Sequence, residues 1–447
     1  MIGLKYNMAG NKVIINTQTG LRAFPQLHAL EESGKPLRVA LIGAGAMGVG
    51  IAWQIGRTPG MRLAAVTDIN PLAAEEAARA YGHPFSRYAP GTRPRPGEVL
   101  LTQRPVYLSE QMDLAIDVLV EASNTINFAS QACLAALKKG MHVVLMNAEV
   151  DLALGPWLTH VAAQNGCLVT SDAGDQHGVL MRMLAEIDLW GFRIAMAGNI
   201  KGFLNRYATA EQLVREAAVR HLNPVQCCAY TDGTKLAVEM ALVSNATGLV
   251  PYVTGMEGPA AGHVSEVFDR FDFSRYDGQG VVDYILGAEP GGGVYVVGCC
   301  EERLQQRYLK YYKMGEGPFY LFYRPYHLCH LETTRAIAMV AVQGRPVMAP
   351  EGRVSDVYAY AKRDLRKGEA IREAIGGDQV YGLIDRCDRA DAEGVPITLL
   401  EAYEGNMAQL RQDVRRDQPL RKDALRLPDS PVNRLFATQS KWLADVR

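Results

Sequence analysis

No apolar run among these 447 residues is long enough to span a bilayer. Met1–Gln26 lacks the continuous apolar stretch and small-residue cleavage site of a secretory signal. Net charge is nearly absent as well: 47 Lys and Arg against 48 Asp and Glu leave −1, so there is no basic footprint for nucleic acid or an anionic membrane. Neither partner is expected; a small molecule is. The eight cysteines are scattered, form no Cys-x-x-Cys pair, and include two adjacent pairs (Cys227-Cys228, Cys299-Cys300) unsuited to ordinary bridges. A reduced cytoplasmic protein without structural zinc is the expectation. The sequence also lacks a Gly-x-Ser-x-Gly elbow, a phosphate-transfer P-loop and a His-Glu-x-x-His helix, which argues against serine hydrolases, P-loop enzymes and helix-based zinc proteases.

What is present is globular: 48% hydrophobic and 21% charged residues, in a chain long enough for two or three domains. Residues 1–36 read as an N-terminal arm with a helix ending near Gly34. From Leu37 to about residue 170, short apolar runs (Leu37–Ile42, Arg62–Thr67, Leu114–Glu121, His142–Met146, Cys167–Thr170) alternate with helices (Pro71–Tyr81, Phe128–Lys139). Continuous Val, Leu and Ile runs between helices predict an α/β domain, a parallel sheet covered on both faces. Pro84–Pro105, rich in proline and arginine, reads as a loop insertion. Residues 171–350 read as an α+β substrate-binding and oligomerisation domain, with helices over Leu180–Leu189 and Leu236–Leu249 and a strand at Ile194–Ala197. Residues 351–447 read as a small β-rich module with a C-terminal tail. Its segments Lys362–Glu369 and Arg415–Asp423 echo one another.

The loop Gly43-Ala44-Gly45-Ala46-Met47-Gly48 follows the first apolar run and opens a helix. Gly43 permits the tight turn, Gly45 lets backbone approach a pyrophosphate, and Gly48 allows close helix–strand packing, with Ala46 and Met47 at the helix N-terminus. Asp68 lies twenty positions after Gly48 at the end of the second run, the offset of a carboxylate that bonds an adenosine ribose. The pattern predicts a doubly wound Rossmann sheet binding NAD(P)(H). Asp68 by itself favours NAD, while Arg57 or Arg62 is near enough to serve a 2′-phosphate. Asn124 and Thr125, in Glu121-Ala122-Ser123-Asn124-Thr125, and Asn147 end further strands on the edge that faces the nicotinamide; a plain helix cap is the competing reading.

Candidate chemistry gathers in four places. Asp175 and Gln176, in Ser171-Asp172-Ala173-Gly174-Asp175-Gln176-His177-Gly178, suit substrate hydroxyls or a cation, and suit an ordinary turn equally. Lys201, in a glycine-framed loop, suits an anion. Lys235 opens an otherwise apolar helix, with Glu239 one turn on and Asp232 just before it. It reads either as half of an ion pair or as a proton donor to the alkoxide formed by hydride transfer. Arg324, His327 and His330 concentrate before Glu332 as further substrate-binding candidates, buried satisfied histidines being the commoner alternative.

Taken together, the GAGAMG loop, the EASNT turn, SDAGDQHG, TDGTKLAVEMALVSNATGL and FYRPYHLCHLE resemble the homoserine-dehydrogenase-like oxidoreductases with a C-terminal SAF domain. Within that group the sequence is most similar to the 1-deoxy-D-xylulose 5-phosphate reductoisomerase-like enzymes. The resemblance runs from about Gly34 to near the end, and the KRDLRKGEAI and RRDQPLRKDALRL segments are similar to the β-clip turns of SAF domains. It implies an NAD(P)(H)-linked enzyme of isoprenoid biosynthesis, a homodimer or homotetramer, acting on a ketose phosphate. Lys235, Asp232 and Glu239 would serve catalysis, and Lys201 or Arg324 the phosphate. Glu149, Asp172 or Asp175 would hold Mg²⁺ or Mn²⁺. One departure counts against homoserine as substrate: Asn147-Ala148-Glu149 stands where homoserine dehydrogenases carry Ala-Asn-Lys. Two alternatives remain: reversible oxidation of a polyol, hydroxy acid or amino-alcohol without rearrangement, and a non-catalytic NAD(H) sensor.

Overall fold

A computed structural model describes residues 3–6, 12–15, 22–89, 94–104, 114–219 and 222–446. Strands β1 (Gly3–Tyr6) and β2 (Lys12–Ile15) pair antiparallel, and helix α1 (Pro25–Glu32) follows. The first large layer then runs β3 (Leu37–Ile42), α2 (Ala46–Ile55), β4 (Met61–Thr67), α3 (Pro71–Tyr81), β5 (Phe85–Arg87), β6 (Val99–Thr102), β7 (Val118–Glu121), α4 (Asn127–Lys138), β8 (His142–Leu145), α5 (Ala148–Gln164) and β9 (Val169–Ser171). Its seven strands are parallel in the order β5-β6-β4-β3-β7-β8-β9. Without edge strand β5 this is the 3-2-1-4-5-6 order of a dinucleotide-binding sheet, reversing between β3 and β7. Strands such as Val118-Leu119-Val120-Glu121 are buried throughout because helices cover both faces, which is why they read as unbroken apolar runs.

The second layer contains α6 (Gln176–Leu189), β10 (Arg193–Lys201), α7 (Val214–Val219), α8 (Pro224–Thr231), α9 (Thr234–Thr247), β11 (Val281–Leu286), β12 (Val294–Cys299), α10 (Arg303–Tyr311), β13 (Phe319–Arg324) and α11 (Cys329–Val342). Its sheet, β11-β10-β12-β13, is parallel only at β10–β11. Helix α9 is buried from Thr234 to Asn245. It packs on α5, on α6 and on the C-terminal strands, so it is buried all round rather than along one stripe.

The C-terminal part holds β14 (Ser355–Ala361) paired with β16 (Val380–Arg386), and β15 (Ala370–Ile371), β17 (Ala408–Leu410) and β18 (Leu425–Arg426) in a second small sheet. Helix α12 (Pro431–Val446) ends the chain.

Several sequence expectations change. Pro84–Pro105 is not simply a loop insertion: within it β5 and β6 extend the parallel sheet, and residues 90–93 and 105 lie outside the described residues. Three apolar residues, Val99-Leu100-Leu101, make too short a run to read as a strand. The run Leu114–Glu121 is a strand only from Val118. Two helices also return to the first layer from further along the chain. Helix α11 packs on α2, and α12 packs on α4 and α5. The latter contact repairs a backbone defect. Pro156 lies inside α5, and buried Gln439 of α12 accepts from the Trp157 N–H at 3.0 Å while donating to the Ala153 carbonyl at 2.9 Å. One side-chain amide thereby satisfies both members of an opened i, i+4 pair beside the proline.

Candidate active site

The glycine loop is shaped by contacts that only glycine tolerates. Gly43 has φ +87°, and a Cβ there would lie 2.5 Å from the Ser123 nitrogen; at Gly48 it would lie 2.0 Å from the Gly43 carbonyl oxygen. At Gly45 a Cβ would meet nothing within 4 Å. Steric demand at the flanking glycines with open space at the middle one is what a pyrophosphate needs above a helix N-terminus. Asp68 stands beside the loop, and its carboxylate accepts from the Ala44 N–H and the Asn70 N–H, both at 2.7 Å. The acid thus holds the loop as well as ending β4. Across the switch point, Ser123 N–H donates to buried Glu121 at 2.9 Å, and burial raises that carboxyl to about 8. Asn147 caps α5 through Val150 N–H and donates to the Thr125 carbonyl at 2.8 Å, tying the Asn124-Thr125 turn to the next strand.

A cleft opens over this edge. Gly45, Ala46, Met47 and Asn124 line one side; Glu149, Asp175, Tyr230, Lys235 and Cys329 line the other. Three helix starts converge there. Glu149 is in the first turn of α5, Asp175 caps α6, and Lys235 is in the first turn of α9. A carboxylate is favoured at a helix N-terminus and an ammonium is not. Lys235 is therefore held by its neighbours: Nζ lies 3.5 Å from Glu149 Oε1 and 3.9 Å from Asp175 Oδ2. Burial disfavours the ammonium, but Glu149 and Asp175 outweigh it, and the Lys235 pKa is raised. Burial likewise opposes ionisation of Asp175, yet the Lys235 charge dominates and holds that carboxyl below its usual range. His177, fully buried 3.9 Å from Asp175, is pushed down to about 4 by burial and is neutral at pH 7. Perturbed groups gathered in a cleft mark a functional site.

Beneath Lys235 runs a polar layer. Asn199 Nδ2 donates to Gln176 Oε1 and to Glu239 Oε2, each at 3.0 Å. Burial, then Asp175, raises Glu239 to about 8, so it is a neutral carboxyl at pH 7. The expected Lys235–Glu239 pair along the helix is thus replaced by pairs to other segments.

The other sequence-predicted residues lie as follows. Asp232 is not on the cleft: it bonds Lys362 at 2.8 Å and the Thr234 N–H at 2.8 Å, anchoring the start of α9 to the C-terminal part. Asp172 spends a carboxylate oxygen on the Gly174 and Asp175 N–H groups of its own loop, at 2.7 and 3.1 Å, and is fully buried. Gln176 is a strut, its amide engaged by Asn199 and by the Gly292 and Gly293 carbonyls. Arg324 pairs with Glu332 at 3.0 Å and stacks on Tyr326, and His330 packs against Gly50 of α2. Neither lines the cleft. Lys201 ends β10, where its charge acts on Glu239. His327 Nδ1 donates to the Gly292 carbonyl at 2.7 Å.

Tyr230, Cys329 and Glu401 line the cleft without having been singled out from the sequence. Glu401 comes from the C-terminal part and caps α4: its carboxylate accepts from the Ile126 and Asn127 N–H groups, both at 2.7 Å. No local signal marks it, since its partners lie about 275 residues away.

Comparison with known proteins adds a family for part of the chain. Residues 174–333 match the family described as oxidoreductase DRL, catalytic domain. No curated protein matches the sequence. Among solved structures, 1-deoxy-D-xylulose 5-phosphate reductoisomerase from Zymomonas mobilis in complex with NADPH is 18% identical at a TM-score of 0.34, over 46% of this chain and 56% of that one. The chain therefore spans little more than half of that enzyme's length. A homoserine dehydrogenase from Thiobacillus denitrificans is 15% identical at a TM-score of 0.43, over 87% of this chain and 98% of that one. A hyperthermophilic archaeal homoserine dehydrogenase in complex with NADPH is 14% identical at 0.42, over 69% and 98%. No described helix is long and apolar enough to cross a membrane. Residues 174–333, which match that oxidoreductase catalytic domain, thus face the doubly wound parallel sheet across one cleft.

Proposed function

We propose that the chain is an NAD(P)-dependent oxidoreductase that interconverts a small polar carbonyl compound and the corresponding alcohol. The observation that carries this reading is the Lys235 ammonium, held between Glu149 and Asp175 on the wall opposite the glycine loop. The nicotinamide, when bound, supplies or takes the hydride. Gly43, Gly45, Gly48 and the α2 N-terminus would hold the pyrophosphate, and Asp68 with the Asn124 turn would hold the two ends of the cofactor. Lys235 donates a hydrogen bond to the carbonyl oxygen and passes it a proton as charge develops. Glu149, only half-buried, is placed to return a proton from solvent. Neutral His177 and neutral Glu239 keep the layer below from competing for the lysine.

A hard cation such as Mg²⁺ or Mn²⁺ does not suit the three carboxylates proposed for it. Asp172 is buried with one oxygen spent on its own loop, and Glu149 and Asp175 share the Lys235 ammonium, which would stand beside any hard cation they held. A ketose phosphate rearrangement like that of the reductoisomerases is the second reading, favoured by the SDAGDQHG and TDGTKLAVEMALVSNATGL segments. We read the C-terminal strands as the SAF-like module that this resemblance implies.

A screen of phosphorylated ketoses, polyols and hydroxy acids by nicotinamide absorbance, with and without Mg²⁺ or Mn²⁺, separates the readings. Turnover with no added Mg²⁺ or Mn²⁺ supports the simple reaction. Strict dependence on either ion, with inhibition by a phosphonate hydroxamate, supports the rearrangement and overturns it.

A further inference from the structure

We propose that Asp175, His327 and Cys329 form a binding site for a borderline divalent cation of the zinc class, with its fourth position open to the cleft. One ligand atom from each of the three lies within 4.8 Å of the others, and Cys329 Sγ is 3.9 Å from Asp175 Oδ1. Ligands on a tetrahedral zinc ion stand roughly 3.3–3.7 Å apart, from bond lengths of about 2.0–2.3 Å, so binding requires the set to close by about 1 Å.

Three independent features favour a ligand here over a chance cluster. The first is the orientation of the imidazole. The Gly292 carbonyl can only accept, so Nδ1 of His327 carries the proton at 2.7 Å and Nε2 is the ring nitrogen left for a metal. A metal-ligating histidine is fixed in this way by a backbone carbonyl behind it. The second is the packing that brings the segments together: a Cβ on Gly174 would lie 2.5 Å from the Cys329 carbonyl oxygen and 2.6 Å from that of Leu328. Glycine beside Asp175 is thus what lets the 328–329 backbone come close. The third is charge. A thiolate and a carboxylate balance a divalent ion, leaving Glu149 to balance Lys235 nearby.

Sulfur, nitrogen and oxygen donors in one set select zinc-class ions over Mg²⁺. On binding, the Cys329 thiol releases its proton to solvent and the sulfur lone pair forms the metal bond. Asp175 and Cys329 both line the cleft, so an ion held by them would border the substrate space. Use of the ion to polarise a carbonyl oxygen rests on the function proposed above; its binding does not.

The test uses the full-length protein, stripped with chelator and titrated with Co²⁺ as the probe, with Zn²⁺ as competitor. The expected result is saturable binding with a thiolate-to-cobalt charge-transfer absorption that Zn²⁺ abolishes. Cys329→Ser should remove that absorption, and His327→Gln should weaken binding by at least roughly tenfold. Cys387→Ser, far from the cleft, should change neither. NAD(P)H binding by fluorescence checks that each variant is folded and that the cofactor site is intact. Absence of saturable Co²⁺ binding by a protein that still binds NAD(P)H overturns the site, as does an unchanged spectrum in Cys329→Ser. Failure of the carbonyl screen with Co²⁺ binding intact overturns only the proposed reaction.

Discussion

On one side of the cleft, six consecutive residues, Gly43–Gly48, act through backbone N–H groups and empty space. On the other, Glu149, Asp175 and Lys235 act through charged side chains from the starts of three helices, braced by Asn199, Glu239 and His177. The first wall is local and its energetics are steric. The second is assembled from distant segments and its energetics are electrostatic, with a buried lysine set against a helix dipole. A substitution should therefore break the first wall through backbone geometry and the second through charge.

The largest stability effect is expected at Gly43. Gly43→Ala forces an alanine into φ +87° and against the Ala122–Ser123 backbone. The strained conformation costs about 1–3 kcal/mol before the clash is counted. Thermal unfolding should show it, with loss of NAD(P)H binding.

The charged wall should answer to pH instead. His177 has a folded pKa of about 4, below its ordinary value near 6.5, so its neutral form contributes stability above pH 6.5 that is lost as pH falls through 4. The full contribution is about 3 kcal/mol. His177→Gln should flatten that acid limb in urea unfolding. Glu239, raised to about 8, works oppositely: its contribution is full below pH 4.5 and is lost as pH rises through 8. Glu239→Gln should flatten the alkaline limb and leave the acid one.

A smaller loss, about 1–2 kcal/mol, is expected for Glu401→Ala, which uncaps α4. If NAD(P)H affinity falls along with the melting temperature, the C-terminal part is shown to shape the cofactor wall. Gly45→Ala closes the series. With no protein atom near the new methyl, stability should move by less than about 0.5 kcal/mol. Cofactor affinity should nonetheless fall, which separates binding from folding within one loop.

The same contrast explains what could be read from the sequence. The glycine loop, its strand and Asp68 are legible because their spacing is the mechanism, and the parallel sheet because buried strands leave unbroken apolar runs. Lys235 and Asp175 stand out as charged residues among apolar or glycine neighbours. Their partners do not: helix spacing suggests Glu239 for Lys235, whereas tertiary packing supplies Glu149 and Asp175. Asp232 looked catalytic for its position beside Lys235, but Lys362, well over a hundred residues on, claims it. Arg324 suited an anion until Glu332 took it. Cys329 and Glu401 carry no local pattern, because what places them is the return of later chain onto the first sheet.

The account is tested most directly by Lys235→Ala, with kcat and the NAD(P)H dissociation constant measured on the same preparation. The expected result is a fall in kcat of about 10²–10⁴-fold, as for a lost general acid, with cofactor affinity unchanged. Unaltered turnover, or a loss confined to cofactor binding, would contradict the assignment of proton transfer to the charged wall.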